Sequence, residues 1–316
     1  MGARTTKALL AGVAAVALVA GGATAPAQAA DKTIAFSSIS WHIPYMVILQ
    51  KAFNGAAKAQ GFKTVNVPDN TFSPAVAKKN IESLITNKKI NGFWSIAPGA
   101  PAALTTTVKL AMAKGVKAVV NGTPADYGMT GMQKGVSFAA IPYAKQGEAL
   151  GTQLGQCLVK KNKATASIIM GENAAGTIGK SEFESAFEAA FKKAAPKATI
   201  ANHYELSGDA AAQQVTIRSA IQANPSSAGL VTWSDEGATG AIGAYKTAGK
   251  SAYDLCVVSG GSDLNFSKVN DGSLYAAVAV DGIADAKQIS AELKRLISSP
   301  TAKGKQLYTP VVIKHQ

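Results

Sequence analysis

Histidine, cysteine and aromatic residues are all scarce in this chain. Its 316 residues include three histidines, two cysteines and 7% aromatics. His42, His203 and His315 lie far apart, and none has a second metal ligand three or four residues away, so the common zinc spacings are excluded. There is no G-x-S-x-G nucleophile elbow and no phosphate-binding P-loop. The run from Gly171 to Gly176 lacks the G-x-G opening of a dinucleotide fingerprint and reads as a loop. One acid–base candidate is left, the adjacent pair Asp235 and Glu236. It follows Ser234 where a helix should start, so capping explains it more economically. The chain is therefore expected to bind rather than catalyse, with no cofactor and no metal.

Long apolar runs are also missing. The exception is Ala8 to Ala20, preceded by Arg4 and Lys7 and followed by the small-x-small triplet Ala27-Gln28-Ala29. That tripartite pattern is a secretory signal, and its apolar core is too short to cross a bilayer. Residues 1–29 contain no cysteine for lipid attachment. The mature protein is expected to be exported to the periplasm or cell envelope, without a lipid anchor. Loss of Arg4 and Lys7 takes the formal charge from +13 to +11. No arginine-rich or aromatic-interleaved stripe accompanies that charge, so it reads as a solvated surface and nucleic acid is not an expected partner. Cys157 and Cys256 have neither metal-ligand nor redox-motif spacing. In an exported chain they form either one disulfide or two buried thiols.

Strand-like and helix-like runs alternate over the roughly 287 remaining residues, a length that suits two ordinary domains. Ile34–Phe36 reads as a strand, and Pro44 to Gln60 as a helix with Met46, Leu49, Phe53 and Ala57 on one face. Ser73-Pro74 opens a second helix, and Gly115 ends a third. After Lys134–Phe138 the rhythm starts again. A helix from Pro142 carries Gly147, Gly151 and Gly155, spaced to lie close against a sheet. Phe183, Phe187 and Phe191 stripe the next helix as core. A strand over Tyr308–Lys314 closes the chain. Such βαβ repetition predicts α/β architecture, with two Rossmann-like parallel sheets covered by helices. If the lobes face each other, the loops at both sets of strand carboxyl ends line one cleft.

Those loops hold Ser40–Met46, Asn121-Gly122, Ser234-Asp235-Glu236, Gly260–Asn265 and Asp281-Gly282. Rings mixed with amide, hydroxyl and carboxylate groups suit a small polar solute with one flat face. Ser234-Asp235-Glu236-Gly237-Ala238-Thr239-Gly240-Ala241-Ile242, with Thr247-Ala248-Gly249-Lys250 behind it, resembles a run common among type I periplasmic solute-binding proteins of the ribose-binding, sugar-type branch. Val269-Asn270-Asp271-Gly272-Ser273-Leu274 is similar to that family's turn before a strand of small residues. The resemblance covers essentially all of the mature chain.

It implies two lobes joined by a three-crossing hinge. The amino-terminal lobe would be 31–138 plus 282–308, and the carboxyl-terminal lobe 139–281 plus 309–316. It also implies a monomer that closes on its ligand and delivers it to an ABC permease. A related repressor would need an amino-terminal helix-turn-helix, where this chain has a signal. A ligand-sensing subunit for a membrane receptor is the other partner the fold allows. Carried onto this chain, the ligand contacts would come from Trp41, His42, Tyr45, Asn121, Trp233, Ser234, Asp235, Asp263, Asn265 and Asp281. The pattern also departs from the family. Ile43-Pro44-Tyr45-Met46 stands where Asn-Pro-aromatic-aromatic is usual, and Asn121-Gly122 stands where Asp-Arg often grips hydroxyls. No arginine occurs near Ser181 and Phe183. The expected ligand is a small sugar or polyol. The lack of arginine favours, as the alternative, a less hydroxylated cyclic or aromatic solute.

Overall fold

The computed structural model describes residues 32–38, 43–67, 73–96, 101–175, 177–206 and 209–315. The expected signal segment, Trp41 and His42 lie outside the described residues. No described helix is long and apolar enough to cross a membrane.

The first sheet is built from β1 (Thr33–Ser38), β2 (Lys63–Val67), β3 (Gly92–Ile96), β4 (Lys117–Asn121), β5 (Val136–Ala140) and β11 (Gln306–Tyr308). Its order is β11-β5-β4-β3-β1-β2, and every pairing is parallel. The second contains β6 (Ser167–Glu172), β7 (Thr199–Glu205), β8 (Gly229–Thr232), β9 (Val257–Gly261), β10 (Ala276–Val280) and β12 (Val311–His315), in the order β12-β10-β9-β8-β6-β7. β12 runs antiparallel to β10, the one departure from the expected parallel arrangement. The helices are α1 (Pro44–Ala59), α2 (Pro74–Thr86) and α3 (Thr105–Lys114), then α4 (Tyr143–Lys160), α5 (Lys180–Ala194), α6 (Ala210–Ala223), α7 (Asp235–Thr247), α8 (Asn265–Asn270) and α9 (Gly282–Ser298).

Each sheet is buried on both faces. In the first, Ile34, Phe36, Phe53 and Trp94 pack with Ala286, Ile289 and Leu293, so α9 belongs to that lobe although it follows β10 in the chain. Trp94 is 1% exposed, with its ring 4.9 Å from Phe36 and 5.4 Å from Phe53. The chain thus passes between sheets three times: after Ala140, after Val280 and after Tyr308.

The third passage corrects the sequence reading. A single strand was expected over Tyr308–Lys314, but Thr309-Pro310 divides it between the two sheets. Proline has no N–H to donate to a ladder. Thr309 N donates to Ala140 O at 3.0 Å and finishes the first sheet, and Pro310 O accepts from Asp281 N at 2.8 Å at the edge of the second.

The α4 glycines are a second correction. They lie close against α5 rather than against the sheet. A Cβ on Gly147 would collide with the Phe183 carbonyl, one on Gly151 with the Phe187 carbonyl, and one on Gly155 with the Ala194 side chain. The phenylalanine stripe beside them is fully buried in the second lobe's core. Cys157 of α4 is bridged to Cys256, just before β9, with Cα atoms 5.7 Å apart and a sequence separation of 99. The short helix α8 was not expected; it begins at Asn265, where the loop read over Gly260–Asn265 ends.

Candidate ligand-binding site

Open α/β sheets bind ligands beyond the carboxyl ends of their strands, and here both sets of ends meet at the crossings. A cavity of about 110 Å³ lies there, lined by Tyr45, Asn121, Tyr143, Ile178, Asp285 and Thr309 among others. The first lobe, the second lobe and the hinge all contribute to it.

Tyr45 reaches the cavity because Pro44 starts α1 directly after the loop that leaves β1. Its ring lies against Gly282, where a Cβ would come within 2.8 Å of the ring edge, so glycine lets α9 begin beside the tyrosine. Burial raises the Tyr45 phenol well above its ordinary pKa, with Asp285 the next contributor. The ring therefore presents a neutral hydroxyl at any ordinary pH. Asn121 ends β4, and its carbonyl accepts from Tyr127 Oη at 3.0 Å. Gly122 follows at φ 102°, a conformation that favours glycine, and its carbonyl accepts from Gln306 Nε2 at 3.0 Å. The carboxylate nearest this strand end, Asp126, accepts from Thr123 N at 2.7 Å and Thr123 Oγ1 at 2.8 Å, which ties it to its own turn.

Asp285 is the buried carboxylate of the cavity wall. It is 6% exposed, and burial raises its carboxyl to about 6, against hydrogen bonds from Gln288 and Thr309 that pull it down. Gln288 Nε2 donates to it at 2.6 Å. Near neutrality this carboxyl accepts hydrogen bonds, and in mild acid it donates one. Tyr143, the first residue of α4, has its phenol pushed up to about 12 by burial and then by Glu182.

The other expected ligand residues have local partners. Ser234 caps α7, accepting from Gly237 N at 3.0 Å. Asp281 caps α9, accepting from Ala284 N at 2.9 Å. Asp235 accepts from Ser262 N at 3.0 Å and Ser262 Oγ at 2.7 Å, and burial raises its carboxyl above the usual range. Asn265 is fully buried. Its amide donates to Gly260 O at 2.8 Å, and its Oδ1 accepts from Lys268 Nζ at 2.8 Å. Asp235 and Asn265 thus shape the loop after β9 from both sides. Asp263 is exposed and borders a separate groove with Asp281. Trp233 is 7% exposed, its ring centroid 3.6 Å from that of Phe183, within the second lobe's core.

Of the ten expected contacts, Tyr45 and Asn121 line the cavity, while Trp41 and His42 lie outside the described residues. The sequence reading missed Asp285, Tyr143 and Thr309. Asp285 did leave a signal, since Asp285, Ile289 and Leu293 recur at i, i+4, i+8 and place a carboxylate on an otherwise apolar buried face. Among the described residues, no group of three His, Cys, Asp or Glu side chains is placed to hold a metal ion.

The model of the periplasmic binding protein domain matches residues 34–301. The chain belongs to that family. Solved structures share the fold across nearly the whole length. One is a carbohydrate transporter solute-binding protein from Agrobacterium radiobacter, in complex with D-arabinose. It is 16% identical, with 91% of this chain and 95% of that one covered at a TM-score of 0.75. A Mycobacterium smegmatis ABC transporter solute-binding protein with bound glycerol is 20% identical, covering 90% and 94% at 0.75. An Actinobacillus succinogenes protein with bound D-allose is 15% identical, covering 90% and 98% at 0.76. At these identities the likeness is one of fold. No curated protein matches the chain by sequence. Within the periplasmic binding protein family, this chain's cavity has two tyrosines and a buried carboxylate in its wall and, among the described residues, no arginine.

Proposed function

We propose that the chain is an extracytoplasmic substrate-binding protein of an ABC importer, capturing a small sugar or polyol between its lobes by closure about the three crossings. The observation that carries this reading is the small cavity at the lobe junction, where Tyr45, Asn121 and Asp285 converge. A neutral tyrosine offers a flat face and a hydroxyl, and a carboxylate accepts hydrogen bonds from sugar or polyol hydroxyls. The solved relatives with D-arabinose, glycerol and D-allose support the same ligand class. Contacts from both lobes exist together only when the lobes are closed, so binding favours that state. We further propose that residues 1–29 are removed on export, that the mature protein is a monomer without a lipid anchor, and that it binds without carrying out chemistry. Its partner is a permease rather than a receptor. The genes beside this one test that choice: a permease and an ATPase there would support it, and a receptor kinase there would contradict it.

A second reading has its own support. Met46, Leu49, Ile96, Ile141 and Ile178 make much of the wall apolar, which favours a less hydroxylated cyclic or aromatic solute. A thermal-shift panel of D-arabinose, D-allose, glycerol and aromatic acids separates the two. A ligand that binds only the folded protein raises its melting temperature. Stabilisation by pentoses, hexoses or polyols supports the first reading, and stabilisation by aromatic acids alone replaces it with the second.

A further inference from the structure

A larger concavity, about 640 Å³, lies at the opposite, amino-terminal ends of the first sheet's strands. Residues just ahead of β1, β3, β4 and β5 line it, so it is far along the strands from the hinge cavity. Among the described residues, fourteen line it; five are lysines (Lys32, Lys88, Lys114, Lys117 and Lys134) and none is acidic. In the whole chain Lys and Arg make up 32 of 316 residues. The wall is thus about three and a half times as basic as the chain at large. Ile90 and Val116, both buried, lie beneath the lysines.

Lys117 is half-buried, as is Lys32, while the other three are exposed. The Lys117 stem crosses Gly135, which sits at φ 78° and where a Cβ would come within 3.2 Å of that stem. Its Nζ reaches one uncharged partner, the Pro300 carbonyl, at 3.5 Å. Burial lowers its pKa, and the neighbouring Lys134 ammonium lowers it further. Among the described residues none of the five ammonium groups is ion-paired. A merely solvated surface spreads its cations over convex ground. Here all five line one concave wall, which focuses their field into the space it encloses. The occupant that relieves this crowding is a multiply charged anion. Ammonium groups act as compact point charges that suit phosphate oxygens, and among the described lining residues there is no arginine fork to grip a planar carboxylate. The volume lies in the range of small-molecule sites, and a concave wall suits a compact solute better than a flat bilayer.

We propose that this lysine-lined concavity is a second binding site, for a small solute carrying two or more phosphate groups. It does not depend on what occupies the hinge cavity. The test is calorimetric titration of the mature chain with inorganic tripolyphosphate at low salt. The expected result is one-to-one binding that weakens as salt is added. The Lys88→Gln/Lys117→Gln/Lys134→Gln variant should bind at least about tenfold more weakly. Lys51→Gln/Lys58→Gln/Lys79→Gln, with the same net charge and exposed positions on α1 and α2, should bind like the native protein. Lys134→Glu, at an exposed position, repeats the test if the first triple variant does not fold. The proposal is overturned by the absence of one-to-one binding or by equal weakening in both triple variants. It is also overturned if the protein associates with phosphatidylglycerol vesicles but not with tripolyphosphate.

Discussion

Replacing Asp285 with asparagine should stabilise the protein at neutral pH and remove a pH dependence from its folding. Asp285 is 6% exposed, and burial raises its carboxyl from the ordinary 3.8 to about 6. Each pKa unit is worth about 1.4 kcal/mol, so the charge costs the folded state about 3 kcal/mol once folded and unfolded chains are both ionised. The sign follows from linkage. Below pH 4 both states hold the proton and the penalty vanishes. Between about 4 and 6 the unfolded chain ionises first, so stability falls as pH rises, and above about 6 the loss is complete. Asparagine keeps an acceptor for Gln288 Nε2, which donates to the native carboxylate at 2.6 Å, and carries no charge. Urea denaturation of both proteins at pH 4.0, 5.0, 6.0 and 7.5 should show curves that nearly coincide at the lowest pH. At the highest, the variant should be more stable by an amount approaching about 3 kcal/mol. A variant no more stable than the native protein at pH 7.5 refutes the reasoning, as does a native stability that does not fall between pH 4 and 6. A destabilising charge retained in a ligand cavity points to function, so the same variant should bind its solute less tightly.

Reducing the Cys157–Cys256 bridge should lower stability by about 4 kcal/mol, since it closes a loop of 99 residues; an unchanged melting temperature after reduction contradicts this. Gly147→Ala should destabilise by about 2 kcal/mol or more, because its Cβ meets the Phe183 carbonyl; equilibrium denaturation checks it. Tyr45→Ala should weaken solute binding at least about tenfold, the range of an aromatic contact together with a hydrogen bond, while the fold tolerates the loss at a half-buried position. Calorimetry with the solute found by thermal shift is the check.

Much of the fold can be read from pattern alone, because parallel strands buried on both faces appear as apolar runs and amphipathic helices repeat every three to four residues. Pro44, Ser73-Pro74 and Gly115 mark helix ends where the structure places them. Spacing announces a close approach without naming the partner. The glycines of α4 signalled a tight neighbour, and whether that was a sheet or α5 depended on tertiary packing. The Thr309-Pro310 break was also visible as a proline, but a single strand and two strands in different sheets share the same apolar pattern on either side. The site was harder to read. Asn265 and Asp235 are proposed contacts because polar residues at strand ends suit that role, and the structure adds that both hydrogen-bond within the loop beside them. Asp285 belongs to a helix rather than a strand-end loop, and only the register of α9 brings it to the cavity. The lysines of the second concavity lie ahead of β1, after α2, on either side of the α3–β4 turn and ahead of β5, so no local window shows all five together.

The central claim is capture of a small hydroxylated solute between two lobes that close on it. Small-angle scattering of the mature protein, with and without a saturating sugar or polyol identified by thermal shift, tests that claim most directly. The account predicts a smaller radius of gyration in the bound state, and the same radius at saturation would contradict it.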